Sequence, residues 1–152
     1  MDVLSNRKTV GRIEGDILLN GIKSTHPYLQ GRIAYVQQVD THHVFSTIRE
    51  CLHFSAILRL PKTVTAVQRN EFVESTLHLL ELDSIADRMV GGFGMPGLSP
   101  SQKKLVSIAV ELVSNPSVIF LDEPTTGLDS RAALLVMRVI RKVAATGRTV
   151  LW

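Results

Sequence analysis

The spacing of hydrophobic positions changes twice along the chain, and each change marks a different kind of element. From Arg12 to Val36 apolar and polar residues alternate loosely around an Asn20-Gly21 turn, which predicts short strands leading into a longer one over Arg32–Val36. From Ser46 to Leu112 the spacing is helical. Thr47 with Glu50, and Thr65 with Gln68, have the spacing of capping boxes, and the helices they open carry Leu52, Phe54, Ala56 and Leu58, then Val67, Phe72, Val73, Leu77 and Leu80. Leu60-Pro61 ends the first of these, and Gly91-Gly92-Phe93-Gly94 reads as a flexible approach to a third helix. In that third helix Ser99 is the N-cap, Pro100 fits the first helical position, Gln102 completes the box, and Leu105, Ile108, Ala109 and Leu112 recur at helical spacing. From Ser117 onward the pattern returns to α/β. Val118–Leu121, bounded by Asn115-Pro116 and Pro124, predicts a central parallel strand. A helix capped by Asp129 or Ser130 follows, with Ala132, Leu135, Val136, Val139, Ile140 and Val143 on one face and Gly147 at its end, and then a strand over Thr149–Trp152. Strand, helix and strand at this spacing imply a parallel crossover.

The chemistry gathers at the edges of these elements. Asp122 and Glu123 emerge at the carboxyl end of the apolar strand, where open α/β sheets place ligands. An acidic pair there suits Mg²⁺ held through water, together with a base that positions a second, attacking water; the plainer alternative is that the pair caps the following turn. The start of the helix at Ser99 offers backbone N–H groups and a positive dipole end, which favour an anion such as phosphate. Gln38, at the end of the Arg32–Val36 strand, reads by itself as a polar loop residue.

Taken in order, Gln38, Leu98-Ser99-Pro100-Ser101-Gln102, Val118–Glu123 and Gly127-Leu128-Asp129 resemble the ATP-binding cassette of ABC transporters. The segments Asn6–Gly21 and Ile108–Leu112 are similar to the G subfamily, in particular its full-size pleiotropic drug resistance exporters, and the resemblance covers nearly the whole chain. Pro100 and Ser101 stand where many cassettes have two glycines, and such degenerate signatures are common in the G subfamily.

The resemblance implies a partial P-loop NTPase-like α/β domain, a parallel sheet core with an inserted helical subdomain. It divides 1–152 into a β region with the Q-loop (1–45), a helical subdomain with the signature motif (46–112), and Walker B, D-loop and following βαβ (113–152). It implies ATP and Mg²⁺ as cofactors. Glu123 would be the catalytic glutamate, Asp122 and Gln38 the Mg²⁺ ligands, in part through water, Leu98, Ser99, Pro100, Ser101 and Gln102 the signature contacts to the opposite nucleotide, and Asp129 the D-loop contact to a second cassette. A transmembrane domain is the other implied partner, with small lipophilic compounds as cargo and a place on the cytoplasmic side of a membrane.

No Gly-x-x-x-x-Gly-Lys-Ser/Thr occurs in the 152 residues. Met1–Leu4 resembles the helix that follows such a phosphate loop, and Gly147–Trp152 the start of the strand that delivers the family's switch histidine. The expectation is therefore an excerpt lacking both, inactive as an isolated chain. Two alternatives accompany it: a non-catalytic remnant that pairs with another cassette, and a soluble ABC-type ATPase of DNA repair or translation.

Composition narrows the classes further. The chain is 45% hydrophobic, yet no run approaches the roughly 18 apolar residues of a membrane span, and Asp2, Asn6, Arg7 and Lys8 interrupt any secretory pattern. A net charge of +3 and 5% aromatics, with scattered basic residues, argue against nucleic acid. Lys103 and Lys104 are expected on the exposed side of the third helix, and Arg138, Arg141 and Lys142 on a solvated face of the last. Cys51, the single cysteine, is expected to pack as a small hydrophobe. His42-His43 lacks a partner at ligand spacing and is assigned to a mobile segment after Gln38, not to a metal.

Overall fold

The computed structural model describes residues 1–8, 10–25, 29, 31–92, 94 and 96–152. Thr9 of the Asn6–Gly21 segment and Phe93 of the glycine-rich loop lie outside the described residues, as do 26–28 within the expected β region. Asn20 (φ 48°) and Gly21 (φ 81°) both take left-handed backbone, as a two-residue hairpin of the favoured twist requires, and join β1 (Leu18–Leu19) to β2 (Ile22–Lys23). Three parallel strands form the main sheet in the order β3 (Ile33–Val36), β4 (Val118–Leu121), β5 (Thr149–Leu151). All four residues of β4 are buried, as befits a strand paired on both edges and covered on both faces.

Each of the four α-helices among the described residues begins where a short polar side chain captures a free N–H. In α1 (Ile48–Arg59), α2 (Ala66–Leu79) and α3 (Pro100–Leu112) both arms of the capping box form, from Thr47, Thr65 and Ser99 respectively. Asp129 caps α4 (Ser130–Ala145) by accepting from the Ala132 N–H at 2.9 Å. A 3-10 turn at Asp83–Ile85 follows α2. Helix α3 is the hub of the packing: it touches α1, α2, α4 and β3, and buries Leu105, Val106, Ile108, Ala109 and Leu112 in one core with the sheet and the helices around it.

The structure corrects several expectations about faces. On α1 Leu52 and Ala56 are buried with Ile48, but Phe54 and Leu58 point to solvent. Positions two apart lie about 200° apart around a helix, so the four residues divide between opposite sides. Val67 is likewise exposed, whereas Val73, Leu77 and Leu80 are core. Arg138 and Lys142 are not simply solvated, because both pair with Glu81, whose carboxyl is held below its usual range chiefly by the Lys142 contact. Lys104, expected outside, is 2% exposed. Cys51 packs half-buried against the core, and burial pushes its thiol up, so it behaves as the small hydrophobe expected.

Candidate functional site

Parallel register brings the first group of site residues together. Val36 of β3 lies beside Leu121 of β4, and the Asp122 N–H donates to the Val36 carbonyl at 3.0 Å, so the two chains leave the sheet side by side. Two residues further along each, the Gln38 Nε2 donates to Glu123 Oε2 at 2.8 Å. Thr126 Oγ1 donates to the same oxygen at 3.0 Å. Glu123 sits at φ 46°, a left-handed conformation uncommon in a residue with a side chain, and this turn swings its carboxylate toward Gln38.

Behind Asp122 stands a residue the sequence did not single out. The Tyr35 hydroxyl lies 2.8 Å from Asp122 Oδ2 and 3.0 Å from Asp2 Oδ1, so one phenolic proton serves two carboxylates. Burial, followed by the hydrogen bonds to Asp122 and Asp2, raises the Tyr35 pKa, which keeps it a donor. The Arg7 guanidinium covers the ring at 4.4 Å from its centroid.

The second group is a helix start. Gln102 N–H donates to Ser99 Oγ at 3.3 Å, Ser99 N–H donates to Gln102 Oε1 at 2.9 Å, and the Ser99 and Ser101 hydroxyls are 3.1 Å apart. Pro100 brings no N–H. The cap therefore consumes the Gln102 N–H, and the bond between the two hydroxyls consumes one of their protons, which leaves the Ser101 N–H and one hydroxyl as the donors at this end. Leu98 is buried, its N–H donating to the Val90 carbonyl at 2.9 Å. Asp129 lies apart from both groups at the head of α4, exposed, with its carboxylate on the helix cap.

Between the two groups runs a polar network that sequence reasoning missed. Lys104 of α3 donates to the Gln38 carbonyl at 2.8 Å and the Gln37 carbonyl at 3.3 Å, and pairs with Asp40 at 2.9 Å. Ser107 Oγ donates to Asp40 at 2.7 Å. His42 is anchored here too: its Nε2 lies 2.8 Å from Ser107 Oγ and 3.3 Å from the Lys103 carbonyl, which requires the proton on Nε2. The available signal was Lys104's position four before Ile108, inside the apolar stripe of its helix.

His42 gives this network a pH dependence. Burial lowers its pKa from 6.5, outweighing the Lys103 carbonyl and Asp40, which favour the cation, while the Lys103 and Lys104 charges act with burial. The folded chain thus holds His42 neutral while the unfolded chain protonates near 6.5. Its contribution to stability is complete above that pH and declines as pH falls through it. Thermal midpoints from pH 8 to 5.5 are expected to drop more steeply for the wild type than for His42→Gln, and parallel curves would contradict the assignment.

Asp122 and Gln38 offer hard oxygen donors at the sheet edge, and no group of three His, Cys, Asp or Glu residues that would hold a metal exists among the described residues. That donor set fits a divalent ion which takes its remaining ligands from phosphate and water.

The fold is that of the nucleotide-binding cassette class. The sequence profile described as ABC transporter matches residues 2–126, and the chain belongs to that family. It is 51% identical over 150 residues to ABC transporter G family member 36 of Arabidopsis thaliana, 53% over 154 residues to member 31 of the same plant, and 51% over 150 residues to member 51 of Oryza sativa subsp. japonica. Each match covers 99% of this chain and 10% of the relative, so the chain spans about a tenth of the length of these curated relatives.

Proposed function

We propose that this chain supplies the water-activating and signature-helix portion of an ATP-hydrolysing cassette in an exporter of small lipophilic compounds. The observation that carries the reading is the Gln38–Glu123 hydrogen bond at the carboxyl edge of the sheet, with Asp122 beside it. Mg²⁺-ATP, when bound, supplies the phosphoanhydride to be cleaved and a divalent charge on its phosphates. Asp122 and the Gln38 amide oxygen would hold the divalent ion, in part through water. Tyr35 holds the Asp122 carboxylate in place, and Glu123 takes a proton from the attacking water. Ser99, Ser101 and Gln102, with Leu98 and Pro100 shaping their turn, present the start of α3 to the nucleotide of a second cassette, and Asp129 meets that cassette. The resemblance supports these roles, because each residue falls at its motif position.

The transmembrane domain would dock in the groove of about 780 Å³ between α1 and residues 41–46, where Phe54 and Leu58 are each 66% exposed. Residues 46–112 would then transmit motion as the helical subdomain, on the cytoplasmic side of the membrane. No helix among the described residues is long and apolar enough to cross one.

Metal removal tests the reading in the full-length protein that contains these residues. Chelating divalent cations is expected to abolish ATP hydrolysis, and Asp122→Asn to raise the Mg²⁺ concentration needed for half-maximal turnover about tenfold or more. Turnover indifferent to both would overturn it.

A further inference from the structure

We propose that Lys104 is a positioning residue for Gln38: from the signature helix its buried ammonium grips the backbone of Gln37 and Gln38 and so aims the Gln38 amide at Glu123. This deepens the function proposed above and rests on it.

The parallel register carries Gln38 and Glu123 out of the sheet side by side, but the hydrogen-bond ladder ends at the Asp122 N–H to Val36 carbonyl bond. Beyond Val36 the backbone needs another hold. Lys104 provides it. An ammonium has three N–H donors, and here all three have acceptors: the Gln38 carbonyl, the Gln37 carbonyl and the Asp40 carboxylate. Two of the three are main-chain oxygens of the peptides before and after the Gln38 Cα, so the contact fixes the backbone from which the Gln38 side chain departs. Asp40 is held in turn by Ser107, one turn along the same face of α3.

A merely space-filling role explains this poorly. The Lys104 side chain is 3% exposed, and a buried charge is costly to place, so an aliphatic residue of the same length would serve packing alone more favourably. What the charge adds is direction: it selects the arrangement in which two carbonyls and a carboxylate converge on one point. Through it the helix that starts at Ser99 and the loop that carries Gln38 behave as one body, so a ligand felt at the helix start is felt at Gln38.

The test uses the full-length transporter containing these residues, with its other reactive cysteines replaced and a nitroxide attached at Val39→Cys. Val39 is 70% exposed between Gln38 and Asp40, so the label reports the loop without entering the core. Without nucleotide, Lys104→Met is expected to shorten the label's rotational correlation time several-fold. Ser107→Ala, which takes from Asp40 one of its two partners and from His42 its hydroxyl partner while leaving Lys104 in place, is expected to shorten it less and carries the test if Lys104→Met does not fold. With nucleotide, Lys104→Met is expected to lower kcat roughly tenfold with little change in KM, and to add nothing to a Gln38→Ala background. A label equally immobile in every folded variant would overturn the proposal, as would kcat losses that multiply in the Gln38→Ala background. Failure of the underlying cassette reading has a separate signature, in which Gln38→Ala itself leaves hydrolysis unchanged while the label still responds to Lys104→Met.

Discussion

Replacing Glu123 by Gln in the full-length protein is expected to lower ATP turnover by about 10²–10⁴-fold while leaving Mg²⁺-ATP binding in place. The substitution keeps the length of the side chain and an oxygen that accepts from Gln38 and Thr126, so the turn at φ 46° survives. What disappears is the basic oxygen to which the proposed function assigns the proton of the attacking water. A residue that only capped its turn would tolerate this change, since Thr126 bonds an amide oxygen nearly as well as a carboxylate. Nucleotide retained after a single mixing event, with turnover near zero, is the expected pattern, and normal turnover would return Glu123 to the status of a turn cap. For the 152 residues by themselves no hydrolysis above background is expected, because they hold the proposed water-activating groups but no glycine-lysine cradle for the β- and γ-phosphates. Robust hydrolysis by the purified 152 residues, lost in Glu123→Gln, would contradict that.

How far the sequence revealed this arrangement depends on the range of each interaction. Capping boxes join residues three apart, so Thr47, Thr65 and Ser99 announced their helices without reference to anything distant. Asp129 as a helix cap and the all-buried β4 were legible for the same reason, one from local chemistry and one from an unbroken apolar run. Lys104 was misread because a lysine near a helix start is ordinarily solvated, and its partners on residues 37–40 become neighbours only after β3 and α3 have packed. His42 shares that cause: the segment after Gln38 has no pattern of its own, and the partners of His42 lie on Lys103 and Ser107 of α3, more than sixty residues away in sequence. On α1 the two-residue spacing of Leu52, Phe54, Ala56 and Leu58 fixed neither face, and packing against α2 and α3 chose Leu52 and Ala56. The meeting of Gln38 with Glu123 followed from no local signal at all. Resemblance assigned both residues to one nucleotide site without pairing them, and the in-register pairing of β3 with β4 is the physical basis of their contact.

Gly91→Ala is expected to destabilise the fold by roughly 2–5 kcal/mol, far more than its place in a glycine-rich loop suggests. The sequence reads this loop as a flexible approach, yet Gly91 is buried and its backbone is pressed against that of Gly97. A Cβ on Gly91 would lie 2.4 Å from both the Gly97 Cα and the Pro96 carbonyl oxygen, and one on Gly97 would lie 2.4 Å from the Val90 carbonyl oxygen. These are main-chain atoms, so no side-chain rotation relieves the collision. The approach also sets three hydrogen bonds: Leu98 N–H to the Val90 carbonyl at 2.9 Å, Gly91 N–H to the Val44 carbonyl at 3.0 Å, and Val90 N–H to the Ser46 carbonyl at 2.9 Å. Together they moor the start of α3 to the segment entering α1. Gly94→Ala is the matching control. Gly94 has φ 84°, but an added Cβ there meets nothing within 4 Å among the described residues, so the expected penalty is the conformational cost of about 1–2 kcal/mol. Cassette unfolding midpoints measured side by side separate the two terms. A Gly91→Ala midpoint no lower than that of Gly94→Ala would mean that the loop yields, and that the placement of Leu98–Gln102 does not depend on the close passage of Gly91 past Gly97.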